Sequence, residues 1–363
     1  MRVLICLMAT LLHVPAWAQT LQTSAGTLKV DAIVSGLEEP WAMAFLPDGG
    51  MLITERGGRL LHVKDGQSQT VSGLPRVVVD GQGGLLDVLV PRDFEQTREI
   101  LWSHSARTQG GNHTAVTVAR LSDDGSRVTN ARRIFEGLPG SGNGRHFGSR
   151  LVEARDGTVF VTIGDRGDRP EAQNLGSHHG SVVRINRDGS VPSDNPFVGQ
   201  DGARPEIWSY GHRNPQAAAL DLNGNLIVVE HGARGGDEVN RVKRAGNFGW
   251  PVISYGTHYS GASIGEGTSK AGMEQPAFYW DPSMAPSGMI VYSGRLWPNW
   301  RGDLFVGSLK FDYISRLDGS PLAEREQIKG PETERVRALS EGPDGTIWFL
   351  SVGNGTLFRL SPG

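Results

Sequence analysis

Trp41-Ala42-Met43-Ala44-Phe45-Leu46-Pro47-Asp48-Gly49-Gly50-Met51-Leu52-Ile53-Thr54 decides the fold. Two short apolar runs flank an Asp-Gly dipeptide, a strong local signal for a β-hairpin because Gly reaches φ > 0 without a Cβ penalty. A two-residue type I′ turn, with φ > 0 at both central positions, is the expected connection.

The unit recurs. Arg150 to Ala154 leads through Asp156-Gly157 into Val159 to Thr162, and Ala217 to Leu222 leads through Asn223-Gly224 into Leu226 to Val229. Val336 to Leu339 is followed by Asp344-Gly345 and Ile347 to Leu350. Looser copies are Leu85 to Val90 with Ile100 to Trp102, and Met289 to Tyr292 with Leu304 to Val306. The second strands start near 51, 100, 159, 226, 304 and 347. Such spacings suit propeller blades of about 40 to 50 residues carrying loop insertions. The expected architecture is all-β, a six-bladed propeller of four-stranded antiparallel blades spanning 19–363 as one domain. Leu28 to Val34 and Leu357 to Leu360 are left over, and their pairing in a shared blade would close the ring. A pair of β-sandwiches would not need six copies of one hairpin.

Composition agrees. The 363 residues include 50 Gly and 20 Pro, which disfavours helical bundles, and the glycines lack the three-residue period of collagen. With 38% hydrophobic residues, 9 Trp and a net charge of −3, the chain is neither disordered nor a nucleic-acid binder. Residues 1–18 read as an export signal: Arg2, an apolar run from Val3 to Val14, and Ala16-Trp17-Ala18 as the cleavage site. The apolar run is shorter than the ~20 residues that span a bilayer. A periplasmic or secreted protein without stable membrane insertion is therefore expected. Cys6, the only cysteine, falls inside this segment, so thiolate metal sites, disulfides and Cys nucleophiles are excluded from the mature chain.

In a propeller, the start of each first strand and the end of each second strand share one face. The residues before first strands are Gln82, His146, Arg213 with Asn214, Ser287, and Arg335 with Arg337; those after second strands are Glu55 with Arg56, His104, Asp165, His231-Gly232 and Lys310. This rim is richer in Arg, Lys and His than in carboxylates, which suits an anionic ligand with a His available as base. Asp165, Arg56 and Arg169 also read as ordinary loop charges. His178-His179 and His212 lack the spacing of a zinc site, and no P-loop, dinucleotide fingerprint or nucleophile elbow is present.

Several strings resemble the soluble quinoprotein aldose (glucose) dehydrogenases, which use pyrroloquinoline quinone (PQQ). They include Gly81-Gln82-Gly83-Gly84, Arg145-His146-Phe147-Gly148, His212-Arg213-Asn214-Pro215-Gln216, Glu230-His231-Gly232-Ala233, Gly246-Asn247-Phe248-Gly249-Trp250-Pro251, Ala285-Pro286-Ser287, Ser308-Leu309-Lys310 and Arg335-Val336-Arg337. They run in family order from about residue 40 to the C-terminus. The resemblance implies a PQQ site formed by Gln82, Arg213, Asn214, Lys310, Arg335 and Arg337. His146 is implied as general base for oxidation of an aldose at C1 to the lactone, and Arg213 as the cation that holds charge developing on the quinone. It further implies Ca²⁺ on the backbone carbonyls of Gly232 and Ala233, Trp280 on the substrate side, and an external electron acceptor such as a quinone, dye or cytochrome. A monomer or homodimer is expected. Two positions depart from the glucose-specific members: Ala233 stands where Pro is usual, and Arg145 replaces an acidic residue, which points to the broader aldose branch. The alternatives are a Ca²⁺-dependent propeller lactonase or esterase, which needs carboxylates around a central ion, and a non-catalytic binding propeller.

Overall fold

The computed structural model describes residues 19–363; the expected export signal over 1–18, with Cys6, lies outside the described residues. Six antiparallel sheets follow one another along the chain. Blade 1 runs in strand order Pro40–Phe45, Met51–Glu55, Arg59–Lys64, Gln67–Thr70. Blade 2 covers Leu85 to Glu136, blade 3 Leu151 to Tyr210, blade 4 Pro215 to Trp280, and blade 5 Pro286 to Ile328, each with four strands. The second strands begin at Met51, Glu99, Val159, Leu226, Leu304 and Ile347, within a residue of the positions read from the sequence.

Blade 6 closes the ring as expected. Val336–Glu341, Ile347–Ser351 and Thr356–Pro362 pair in order, and Gly26–Ser35 adds antiparallel to the last of them, with Val30 opposite Leu360 and Asp31 opposite Arg359. Gln19–Thr23 adds a fifth, outermost strand that the sequence reading did not anticipate. First strands of neighbouring blades touch one another around the whole ring, so they line the centre. The core lies in the wedges between blades, where Trp102, Phe305, Phe349 and other side chains are fully buried.

The repeated turns differ from the expected type I′. Asp48, Asp156, Asn223 and Asp344 keep negative φ, and only Gly49, Gly157, Gly224 and Gly345 are left-handed, at φ +82, +85, +91 and +87. Each turn is a longer loop. In blade 3, the Gly157 N–H donates to Ala154 O at 3.0 Å, Ala154 N–H donates to Thr158 O at 2.8 Å, and Asp156 Oδ1 accepts Thr158 N–H at 3.0 Å. Blades 1, 4 and 6 repeat the backbone pattern, with a side-chain oxygen of Asp48, Asp221 and Asp344 accepting the amide after the glycine. A β-turn followed by a left-handed Gly needs φ > 0 at one position only, which is why Asp serves before it.

Candidate active site in the propeller mouth

The starts of the first strands and the ends of the second strands converge on one mouth, a cavity of about 590 Å³. Its wall includes Trp41, Arg56, Gln82, Asn214, Gln216, His231, Lys310, Arg335 and Arg337. Of the rim positions read from the sequence, His104, Glu55 and Ser287 lie buried within strands and outside the cavity wall: His104 bonds Thr117 Oγ1 at 2.9 Å, Glu55 pairs with Arg59 at 2.5 Å, and Ser287 donates to Gly307 O at 3.0 Å.

The cations are unequal. Arg56 is neutralised by a two-pronged pair with Glu39 at 2.7 Å. Among the described residues, Lys310, Arg335 and Arg337 pair with no carboxylate. Arg337 donates to Gln216 Oε1 at 3.0 Å; burial, reinforced by Arg150, Arg335 and Arg56, pushes its pKa down to about 9. Cations crowded in this way favour an anionic occupant. Below them the Arg150 guanidinium packs 4.2 Å from the Trp41 ring and pairs with Asp87 at 3.0 Å. Arg150 also donates to the carbonyls of Gln216 and Arg337. This buried pair floors the mouth and ties three first strands together.

His146 sits beside Gln82 and Phe147 at the edge of the cavity. Gly81 shapes its loop: with φ +56 and a hypothetical Cβ only 2.2 Å from Gly144 O, only glycine lets the 81–84 and 143–146 loops cross. Gln82 N–H donates to Gly144 O at 2.7 Å, and Gln82 Oε1 accepts the His146 N–H at 2.7 Å. His146 itself is left-handed, φ +54, the kind of sparsely populated backbone that clusters at functional sites. Its Nδ1 meets Asp165 Oδ1 at 2.6 Å, and among the described residues nothing bonds Nε2. The imidazole thus takes the tautomer with hydrogen on Nδ1, leaving Nε2 as acceptor. Burial lowers the His146 pKa below 6.5, against the opposing pull of Asp165. Burial acts to raise the Asp165 carboxyl, but its bonds to His146 and the Gly167 amide prevail and hold it below the ordinary carboxylate value.

Arg213 is buried at the flank of the cavity. Its backbone N–H donates to Glu230 Oε2 at 2.6 Å, and its guanidinium donates to the carbonyls of His231 and Gly232. Its Nε is buried without a partner. His231 lines the mouth as a neutral imidazole: burial takes its pKa down to about 3, and it bonds Pro286 O at 2.6 Å. Asn214 Oδ1 accepts the Gly148 N–H at 3.2 Å and lies 3.3 Å from Gln216 Nε2.

Trp280, expected on the substrate side, does not line the mouth. It closes the outer strand Phe278–Trp280 of blade 4, opposite Asp237, is buried, and lines a separate cleft with Phe311 and Tyr313. The edge of a blade points away from the channel. Ala233 is buried next to Trp250 and Ala172. Among the described residues no three His, Asp or Glu converge as a metal cluster. Glu238, behind Gly232, is instead raised to about 8 by burial and by Glu230 and Asp237. In the segment 256–275, Thr257 exchanges backbone bonds with Arg234, and Arg169 reaches His258 Nδ1 at 2.8 Å.

The residues whose part sequence reasoning missed are Gln216, Trp41 and Trp250. Gln216 and Trp250 stand in the motif strings, yet only their neighbours carried an assigned role.

The family model for glucose/sorbosone dehydrogenase matches residues 37–359. The protein named aldose sugar dehydrogenase YliI of Escherichia coli K12 is 43% identical over 99% of this chain and 97% of its own. Quinoprotein glucose dehydrogenase B of Acinetobacter calcoaceticus is 30% identical over 77% of this chain and 64% of its own. The crystal structure of the E. coli soluble aldose sugar dehydrogenase in its apo form superposes with a TM-score of 0.89 at 43% identity, covering 93% of this chain and all of that one.

Proposed function

The chain belongs to the glucose/sorbosone dehydrogenase family, and from that premise we propose that it is a PQQ-dependent aldose sugar dehydrogenase that oxidises its substrate at C1 to the lactone. The observation that carries this reading is the mouth itself: three cations without carboxylate partners, Lys310, Arg335 and Arg337, face a cavity flanked by the His146–Asp165 pair. The residues fit the cofactor. A tricarboxylate satisfies the cations, and the orphaned Nε of buried Arg213 is a donor in need of an acceptor.

When bound, PQQ supplies an ortho-quinone able to take two electrons as a hydride. Lys310, Arg335 and Arg337 would hold its carboxylates, with Gln82 and Asn214 as neutral polar contacts. His146 Nε2 takes the proton of the C1 hydroxyl; the Nδ1 bond to Asp165 fixes the tautomer and supports the imidazolium that forms. Arg213 faces the same region and stabilises negative charge that develops there.

Ca²⁺ on the Gly232 and Ala233 carbonyls belongs to this proposal. The Gly232 carbonyl, which accepts from the Arg213 guanidinium, would be one of the two residues' oxygens holding the ion. Calcium takes six to eight oxygens, so these two carbonyls alone would not complete its shell. The lactonase alternative lacks support, because among the described residues the one carboxylate in the cavity wall, Glu39, is bound to Arg56. Export through residues 1–18 would place the enzyme in the periplasm or medium, with electrons passing to an external acceptor.

Reconstitution tests the reading. The apo protein is titrated with PQQ and Ca²⁺ and assayed for dye reduction with a panel of aldoses. Reduction dependent on PQQ is expected; tight PQQ binding and dye reduction both failing would overturn it.

A further inference from the structure

Trp250 bonds the carboxylate that supports His146 and lies beside Arg213, the two groups assigned to chemistry above. Its indole Nε1 donates to Asp165 Oδ2 at 2.8 Å, and its ring lies 5.2 Å from the Arg213 guanidinium carbon and 5.7 Å from that of Arg169. Its own backbone is pinned: the N–H donates to Gly211 O at 2.8 Å and the carbonyl accepts Gln173 Nε2 at 2.8 Å. Asp165 is fully buried, and its two oxygens are divided. Oδ1 accepts from the Gly167 amide and meets His146, whereas Oδ2 has Trp250 as its side-chain donor.

We propose that Trp250 is a positioning residue whose indole N–H completes the hydrogen bonding of Asp165 while its ring seats the Arg213 guanidinium, so that one side chain sets the base and the cation relative to each other. The assignment of what the pair does rests on the function proposed above; the coupling itself is a property of the chain without cofactor. A buried carboxylate stripped of one donor leans harder on those that remain. Loss of the indole bond therefore strengthens the hold of Asp165 on the Nδ1 proton and raises the proton affinity of His146.

The charged groups facing the pair are Arg213 and Arg145 around His146, Arg166 beside Asp165, and Arg169, which carries His258. The arginines keep their charge across the range in which imidazole titrates, and His231, whose pKa falls to about 3, is already neutral there. A change in the His146 titration on altering Trp250 therefore reports the indole–carboxylate bond.

The test uses the full chain without PQQ or sugar. His146 is titrated by imidazole NMR in the wild type and in Trp250→Phe, which keeps an aromatic ring and removes the N–H. The variant is expected to bind the His146 proton about 3- to 10-fold more tightly; an unchanged titration would overturn the proposal. A second measurement needs no variant: in the wild-type protein the Trp250 indole N–H resonance should shift with the same midpoint as His146, and a resonance indifferent to that titration would overturn it equally. In the PQQ-loaded enzyme, the acid limb of kcat/KM should move up with the His146 midpoint in Trp250→Phe and kcat should fall more than KM rises. If the loaded enzyme reduces no dye while both NMR results stand, the proposed function fails and the Trp250 coupling survives.

Discussion

His146 Nδ1 lies 2.6 Å from Asp165 Oδ1, joining the loop before blade 3 to the end of that blade's second strand. Of two groups that stand 19 residues apart, one keeps an Nε2 that nothing bonds among the described residues and the other is fully buried. The geometry is that of an oriented base.

His146→Ala removes that base. Turnover with an aldose should fall by about 10²- to 10⁴-fold while PQQ binding, followed by absorbance titration, stays within a few-fold of wild type. Undiminished turnover would show that another group takes the proton.

Asp165→Asn keeps the shape but offers Nδ1 a group that can donate, favouring the wrong tautomer. kcat should drop by about 10³-fold with little change in PQQ affinity. Equal losses in affinity and kcat would point to collapse of the loop instead.

The pH profile follows from the direction of the His146 shift. A base must be neutral to act, and burial holds the His146 pKa below 6.5, so the neutral form persists to lower pH than in a free imidazole. The acid limb of kcat/KM should therefore fall below pH 6.5, with a plateau above it. A limb centred above 6.5 would contradict the geometry.

Arg337→Met relieves a cation crowded by Arg150, Arg335 and Arg56. Thermal unfolding of the apo protein should show it no less stable than wild type and up to about 1 kcal/mol more stable, while PQQ affinity falls at least tenfold. Unchanged PQQ affinity would remove Arg337 from the anchor set.

Leu28→Ala probes ring closure, since Leu28 is fully buried in the strand that Gly26–Ser35 adds to blade 6. Chemical denaturation should show a loss of about 2 to 4 kcal/mol. A loss below 1 kcal/mol would mean that the terminal strand contributes little to holding the ring.

Much of the architecture was legible because hairpins are local. Alternating apolar runs around Asp48-Gly49, Asp156-Gly157, Asn223-Gly224 and Asp344-Gly345 specify strand, turn and strand within about a dozen residues, so the six second strands were placed closely. The turn type was misread because Asp-Gly serves both a two-residue turn and a longer loop with one left-handed position; backbone bonds such as Ala154 to Thr158 decide between them. The rim rule found Gln82, Asn214, Lys310, Arg335 and Arg337, since strand direction alone fixes which end faces the mouth.

What the sequence by itself determined was the repeated hairpin, its number, the closing strand and the sign of charge at the mouth, all carried by short-range pattern. Only the tertiary structure decided which side chains meet there. Asp165 and Trp250 are 85 residues apart, yet share a hydrogen bond; Trp280 sits at an outer blade edge, and His104 turns into its sheet. These outcomes depend on how blades rotate about the common axis and how long loops cross between them. Such contacts are long-range, and no period in the chain encodes them.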